Sequence, residues 1–256
     1  MQMFSSRLFS WQAFYSVAAK GLKVFLFYLA VLSFCRAFFI FWMHDYMAAT
    51  TGGADIALAL WRGARLSCQT AGGLALFSLV SAALLRFFHA PLENLAWRVT
   101  SALSLTMLSI LYVASFPYYH QYHTGFHQII FNTVNEDAFA LFVSLVQEFY
   151  LPLRLAGAFL LAFLLYRALR FLLTHRILPA LPELAFPWQL LARFAFLAVF
   201  LCVVLLSAFG GSLRWQDAVD WENAGVTNDA FLNEAILDDF QALYRAYTLN
   251  RRFLAC

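Results

Sequence analysis

Residues 190–209 read LLARFAFLAVFLCVVLLSAF, and this stretch decides the fold. It is apolar apart from Arg193. Twenty helical residues at about 1.5 Å each reach about 30 Å, the thickness of a bilayer's hydrocarbon core. The run stops at Gly210-Gly211-Ser212, and residues 211–256 form a polar, acidic tail too short to bury a core of its own. A membrane base whose last helix delivers a segment to one face is the expected arrangement.

The rest of the chain agrees with that start. It is 63% hydrophobic and 12% charged, against roughly 45–50% and 25% in soluble domains, and Phe occurs 29 times. These values predict an all-α polytopic membrane protein with five transmembrane helices plus amphipathic interfacial helices. The net charge of +3 is small and dispersed, which leaves no basic stripe for nucleic acid. Cys35, Cys68, Cys202 and Cys256 show neither metal spacing nor a disulfide framework, and the first three read as inert buried thiols. Arg7, Lys20 and Lys23 precede the first span with no small-residue cleavage site, as in an uncleaved signal anchor.

Hydropathy places the spans at about 24–43, 66–85, 99–116, 151–173 and 190–209, so that 1–210 is the transmembrane domain and 211–256 an extracytoplasmic tail. A brief apolar run, 56–61, and then Arg62-Gly63-Ala64-Arg65 precede the second span. Asn135-Glu136-Asp137 has the look of a helix start, with acids in the first turn. A loop carrying Pro179, Pro182 and Pro187 leads to the last span. Arg7, Lys20, Lys23, Arg86, Arg98, Arg167, Arg170, Arg176 and Arg193 then gather on one side, and the two opposite loops hold only Arg62, Arg65 and Arg154. The positive-inside rule therefore predicts a cytoplasmic amino terminus and an extracytoplasmic carboxyl terminus.

In the tail, Thr227 or Asn228 can cap a helix. Phe231, Leu232, Ala235, Ile236, Phe240, Leu243, Tyr244 and Tyr247 fall on one face of it, with Asn233, Glu234, Asp238, Asp239, Gln241 and Arg245 opposite. Such a helix is expected to dock on the membrane surface or on a following domain.

The candidate binding residues are three arginines. Arg36 lies inside the first span, where a charge costs at least about 2.5 kcal/mol on insertion scales. It suits a lipid phosphate, a carboxylate on a neighbouring helix, or a structural interhelical bond. Arg62 and Arg65, three apart on the external side, can clamp a phosphate, since guanidinium forks match phosphate oxygens. They can equally bind headgroups or the tail's acids. His120, His123 and His127 are spaced for one helical face, but no carboxylate or cysteine completes a metal set. No catalytic constellation and no metal site is assigned.

Four stretches carry a family resemblance: Phe34-Cys35-Arg36-Ala37-Phe38-Phe39; Trp61-Arg62-Gly63-Ala64-Arg65-Leu66; Phe116-Pro117-Tyr118-Tyr119 with 131–137 and 148–152; and Gly211-Ser212-Leu213-Arg214 with Asn223-Ala224 and 231–235. The order of these features is similar to the membrane half of the lipoteichoic acid synthase and phosphoglycerol transferase family, although this chain has Ser67 where that family often has Asp. The resemblance implies a membrane module that admits an anionic phospholipid donor such as phosphatidylglycerol. It also implies a module that positions an extracytoplasmic catalytic domain of the alkaline phosphatase/sulfatase superfamily, seated in a bacterial inner membrane. The threonine nucleophile and divalent Mn or Mg of that domain have no counterpart up to Cys256, so no cofactor is expected in this chain. The competing expectation is a stand-alone, non-enzymatic membrane subunit that binds a partner protein or lipid. A small transporter fits less well, because Arg36 is the only mid-span charge and no Gly/Pro-broken helix pair appears.

Overall fold

The computed structural model describes residues 11–89, 91–135, 137–175 and 188–254, and its regular structure is entirely helical. Arg7, Glu136, the Pro179/Pro182/Pro187 loop with Arg176, and Cys256 lie outside the described residues. Eight α-helices follow in order: α1 Trp11–Trp42, α2 Gly53–Phe88, α3 Leu92–Tyr122, α4 Ala138–Gln147, α5 Leu151–Thr174, α6 Trp188–Ala208, α7 Ala230–Ile236 and α8 Asp239–Leu254. Five of them, α1, α2, α3, α5 and α6, are long and apolar enough to cross a membrane. In hydrocarbon every backbone N–H and C=O must be paired internally, and a helix does this within one segment. The protein is an all-α polytopic membrane protein.

Helices α1, α2 and α3 run further than hydropathy alone marks, α1 beginning at Trp11. The 56–61 run and Arg62–Arg65 are not a separate piece before the second span but its first turns, since α2 begins at Gly53. Helix α3 continues through Pro117 to Tyr122 and stops where His123 turns left-handed at φ 52°, its N–H bonded to the Tyr119 carbonyl at 2.8 Å. That stop corrects the histidine reading. His120 is on the helix while His123 and His127 lie beyond it, so the three share no helical face. His120 and His127 instead bond the hydroxyls of Tyr46 (2.5 Å) and Tyr118 (2.7 Å). At α4 the expected cap is present: the Asp137 carboxylate accepts from Phe139 N at 2.9 Å and Ala140 N at 3.5 Å.

Small residues set how closely α1 and α2 approach. Ala59, Gly63, Ser67, Ala71 and Ala75 recur every fourth residue of α2, and all are buried. This is the pattern by which membrane helices bring backbones together without a hydrophobic driving force. Val24, Tyr28 and Leu32 of α1, Trp97, Leu105 and Leu108 of α3, and Leu169 of α5 fill the main core. A second core lies at one end of the bundle. There Ile40, Met43, Leu66 and Tyr119 meet Val219, Phe231, Leu232 and Ile236 of the tail. Helix α6 is peripheral and none of its residues is fully buried. It is seated by Ser207, which lies where a Cβ on Gly72 would fall, and by Phe196 against Tyr15.

Candidate functional site

The tail leaves α6 through two glycines that no other residue can replace without strain. Gly210 and Gly211 have φ of 56° and 71°, a region costly for any side chain. A Cβ on Gly210 would strike the Val219 carbonyl, and one on Gly211 would meet the Arg65 backbone at 2.8 Å. The chain therefore folds straight back onto α2.

Helix α2 receives it with a row of donors. Arg65 Nη2 donates to the Asp217 carbonyl at 2.6 Å, Arg62 Nη2 to the Asn223 carbonyl at 3.2 Å, and Gln69 Nε2 to the Val219 carbonyl at 3.0 Å. The loop holds the shape that presents those carbonyls by bonding itself. Asp220 Oδ1 accepts from Glu222 N and Asn223 N at 3.0 Å each, and Asn223 Nδ2 donates to the Ala218 carbonyl at 3.1 Å.

Helix α7 is then pinned at both ends. Its cap is Asp229, not Thr227 or Asn228: Oδ1 accepts from Phe231 N at 2.8 Å and Leu232 N at 3.2 Å. Oδ2 accepts from Ala48 N at 3.0 Å and from the Thr51 hydroxyl, which ties the α1–α2 connection to the tail. Burial alone would raise the Asp229 carboxyl, but those hydroxyl and backbone donors hold it below the usual aspartate range. At the other end Arg36 Nε donates to the Ala235 carbonyl at 3.1 Å.

Arg36 also starts a polar relay. Its Nη2 donates to Ser67 Oγ at 2.7 Å, and Ser67 Oγ donates to Asp238 Oδ2 at 3.1 Å. Thr70 donates to the same oxygen at 2.9 Å, and Asp238 Oδ1 accepts Gln241 N at 3.1 Å as α8 begins. Arg36 is 5% exposed, which removes it from lipid and water alike. It lies about 9 Å from the end of α1 by helical rise. Gly63 makes room for it, since a Cβ there would overlap the guanidinium.

A cavity of about 50 Å³ opens beside the relay, lined by Arg36, Cys35, Tyr112, Ser115, Tyr118 and Asp239 among others. Arg36 Nη1 is buried there without a hydrogen-bond partner. The Asp239 carboxyl is pushed up to about 7 by burial and by the neighbouring Asp238 charge, against the pull of Ser115 and Arg36. The space fits one or two waters, at about 30 Å³ each, and not a lipid headgroup. On the rim, Glu234 takes Arg245 Nη1 at 2.9 Å, Arg245 Nη2 at 2.5 Å and Gly125 N at 2.8 Å. Burial would raise the Glu234 carboxyl, but the Arg245 guanidinium and the Gly125 N–H hold it below the usual range.

The three arginines are thus brought to one partner, the tail's backbone, but not to one another's ligand. Arg36 is sealed inside, whereas Arg62 and Arg65 are only half-buried, at the outer rim of the seam between α2 and the tail. The tail itself departs from the single-face expectation. It breaks at Leu237–Asp238 into two helices; Phe231, Leu232, Ala235 and Ile236 are buried, while Tyr244 and Tyr247 are exposed. Asp238, Gln241, Glu234 and Arg245, assigned to the solvent face, turn toward the bundle instead. The signal for this was present in α2, where Ser67, Gln69 and Thr70 interrupt an apolar span and needed partners. Among the described residues no group of three His, Cys, Asp or Glu side chains is placed to hold a metal ion. Comparison with family models, with curated proteins and with solved structures finds nothing that matches this chain.

Proposed function

We propose that this chain is the membrane module of a phosphoglycerol-type transferase resembling lipoteichoic acid synthase. It sits in a bacterial inner membrane with its amino terminus cytoplasmic and its tail extracytoplasmic. The bundle anchors and positions a catalytic domain that follows the tail and carries the Mn or Mg chemistry. An anionic phospholipid donor such as phosphatidylglycerol binds at the rim. The observation that carries this reading is the tail seam: four donors of α1 and α2 (Arg36, Arg62, Arg65 and Gln69) fix the backbone of the exit segment. A simple anchor needs no fixed exit, whereas a module that aims a domain does. Arg62 and Arg65 each commit Nη2 to the tail and bury Nε, and the Nη1 that each leaves over suits a phosphate oxygen. Arg36, engaged with Ala235 and Ser67, serves tail placement.

Native mass spectrometry of the purified protein against phosphatidylglycerol and a neutral lipid tests the reading. Arg62→Ala with Arg65→Ala is expected to weaken phosphatidylglycerol binding about tenfold or more, at about 1.5–3 kcal/mol per charge-assisted contact. Lysine replacements are expected to rescue only in part. A double variant with undiminished preference for the anionic lipid overturns the lipid assignment. A reporter fused after Arg252 is expected to be active only outside the cytoplasm, and a cytoplasmic signal overturns the orientation.

A second reading, a stand-alone non-enzymatic subunit, is favoured by the outer side of α8, where Tyr244, Tyr247 and Phe253 are exposed. Changing Tyr247 and Phe253 to Asp separates the two. A partner-binding subunit loses its partner, while phosphatidylglycerol binding by a transferase module is unchanged.

A further inference from the structure

A second groove lies at the same end of the bundle as the tail, between the last turns of α1 and α3 and the link from α4 to α5. It encloses about 560 Å³, within the roughly 300–1,000 Å³ of small-molecule sites. Phe38, Trp42, Phe116 and Phe149 form its walls, and His120, Glu148 and Arg154 supply its polar groups. Its height is set by the helix ends: α1 stops at Trp42 and α5 starts at Leu151, the level at which a spanning helix meets the headgroups. Trp42 is 62% exposed and stacks on Phe38 at 5.8 Å, leaving an aromatic wall open to a ligand.

The charges in this groove are of opposite sign and do not satisfy each other. Glu148 and Arg154 line one space, yet among the described residues no ion pair joins them, and neither pairs with another charge. Arg154 Nε donates to the Phe149 carbonyl at 2.7 Å, which holds the guanidinium against the α4–α5 link and leaves the Nη groups unspent. Among the described residues Glu148 Oε2 accepts only the Ser144 hydroxyl, at 3.2 Å. His120 Nδ1 is occupied by the Tyr46 hydroxyl. When that hydroxyl donates, Nε2 carries the ring proton and adds a donor beside Arg154.

We propose that this groove binds the headgroup of a zwitterionic aminophospholipid of the phosphatidylethanolamine type. The phosphodiester sits on the Arg154 fork and His120, the primary ammonium donates to Glu148, and the glycerol and first methylenes lie along Phe38 and Trp42. The chemistry discriminates among headgroups. A glycerol headgroup brings hydroxyls but no cation, and leaves the charge of Glu148 uncompensated. A trimethylammonium has no N–H to donate, so it loses the hydrogen bond to Glu148 and keeps only the attraction of its charge to that carboxylate and to the Trp42 ring. The site shares no residue with the Arg62/Arg65 rim, so the proposal stands apart from the transferase reading.

The test is native mass spectrometry of the delipidated full chain titrated with phosphatidylethanolamine, phosphatidylcholine and phosphatidylglycerol of identical acyl chains. The wild type is expected to prefer the ethanolamine lipid over the choline lipid about tenfold, the worth of one charge-assisted hydrogen bond. Glu148→Gln is expected to reduce that preference to within about twofold. Arg154→Gln is expected to weaken the ethanolamine and choline lipids together, because both present a phosphodiester. Glu148 is exposed, so its variant keeps the fold, and helical circular dichroism checks this. Soluble glycerophosphoethanolamine that binds as tightly as the lipid shows that the acyl chains and the aromatic wall contribute nothing, and overturns a lipid site. Equal binding of ethanolamine and choline lipids by the wild type, or an unchanged preference in folded Glu148→Gln, also overturns the proposal. Loss of phosphatidylglycerol binding in Arg62→Ala/Arg65→Ala bears only on the rim.

Discussion

The two ends of the bundle solve the same problem differently. Where α1 begins and α3 begins, cations meet a carboxylate directly. Glu93, 6% exposed, accepts Lys20 at 2.7 Å and Arg86 at 2.6 Å, and Lys23 caps the end of α5 at the His175 carbonyl, 2.6 Å away. At the tail end the arginines of α1 and α2 form no direct ion pair among the described residues. They address main-chain carbonyls of the tail, and Arg36 reaches Asp238 only through Ser67. One end is thus fixed by side-chain identity. The other also reads the path of a backbone, at the carbonyls of Asp217, Val219, Asn223 and Ala235, where a change of side chain leaves the acceptor in place.

The largest effect that tests this contrast is at the ion-paired end. Glu93→Ala leaves Lys20 and Arg86 uncompensated, and losing one partner of a buried charge network costs about 3–5 kcal/mol. Unfolding of the purified protein in mixed detergent is expected to shift by that amount, and a shift under about 1 kcal/mol breaks the comparison. Next comes Arg36→Met. It keeps the volume but removes the bonds to Ala235 and Ser67, at roughly 2–3 kcal/mol for a charged donor. Hydrogen exchange is expected to rise across 230–254 while α3 and α5 stay protected. Uniform loss of protection would place Arg36 in the bundle's own stability instead.

A smaller effect concerns pH. The Asp239 carboxyl is raised in the folded state to about 7 from a usual aspartate value of 3.8, by burial and then by Asp238. The folded tail therefore holds a proton that the undocked tail releases between those values, so docking weakens as pH rises. Its contribution is complete below about 3.8 and lost above about 7. Glu234, held low, works in the opposite sense but only as pH falls below the usual glutamate range, so between pH 5 and 8 Asp239 dominates. Limited proteolysis of the tail is expected to accelerate from pH 5 to 8, and Asp239→Asn to flatten the profile. Smallest of all is Asp217→Ala. Arg65 bonds the carbonyl of that residue, which alanine retains, so tail protection is expected to change by no more than about 0.5 kcal/mol, less than in Arg65→Ala. Equal effects would show that side chains, not the path, are read.

How legible each end was follows from the same contrast. Residues 190–209 and the other apolar runs disclosed five spans because length and hydropathy are local properties. Asp137 was legible as a cap for the same reason. The boundaries at Gly53 and Tyr122 were not, since Arg62 and Pro117 look like stops until tertiary partners keep the helix going. Arg36, Arg62 and Arg65 stood out as misplaced charges, but their acceptors could not be read, because a backbone carbonyl carries no sequence signature. Asp238 and Asp239 resembled a solvated face. Contact with Ser67 and Thr70, about 170 residues earlier in the chain, makes Asp238 an interior group, and Asp239 lies inward beside Ser115 and Arg36.

The elbow at Gly210 and Gly211 has a consequence in time. Arg65 precedes its acceptor at Asp217 by 152 residues, and Arg36 precedes Ala235 by 199. At about 5–20 residues per second, a ribosome delivers those carbonyls about 8–30 s and 10–40 s after the arginines themselves. During that interval the donors of α1 and α2 face the membrane interface with their acceptors not yet synthesised. Arg36, within two turns of its helix end, can reach toward the headgroups while it waits. Only when the last span has inserted and the glycines have reversed the chain does the cation find its permanent acceptor. The seam therefore closes after α6 has inserted, and the insertion of every preceding span is its precondition.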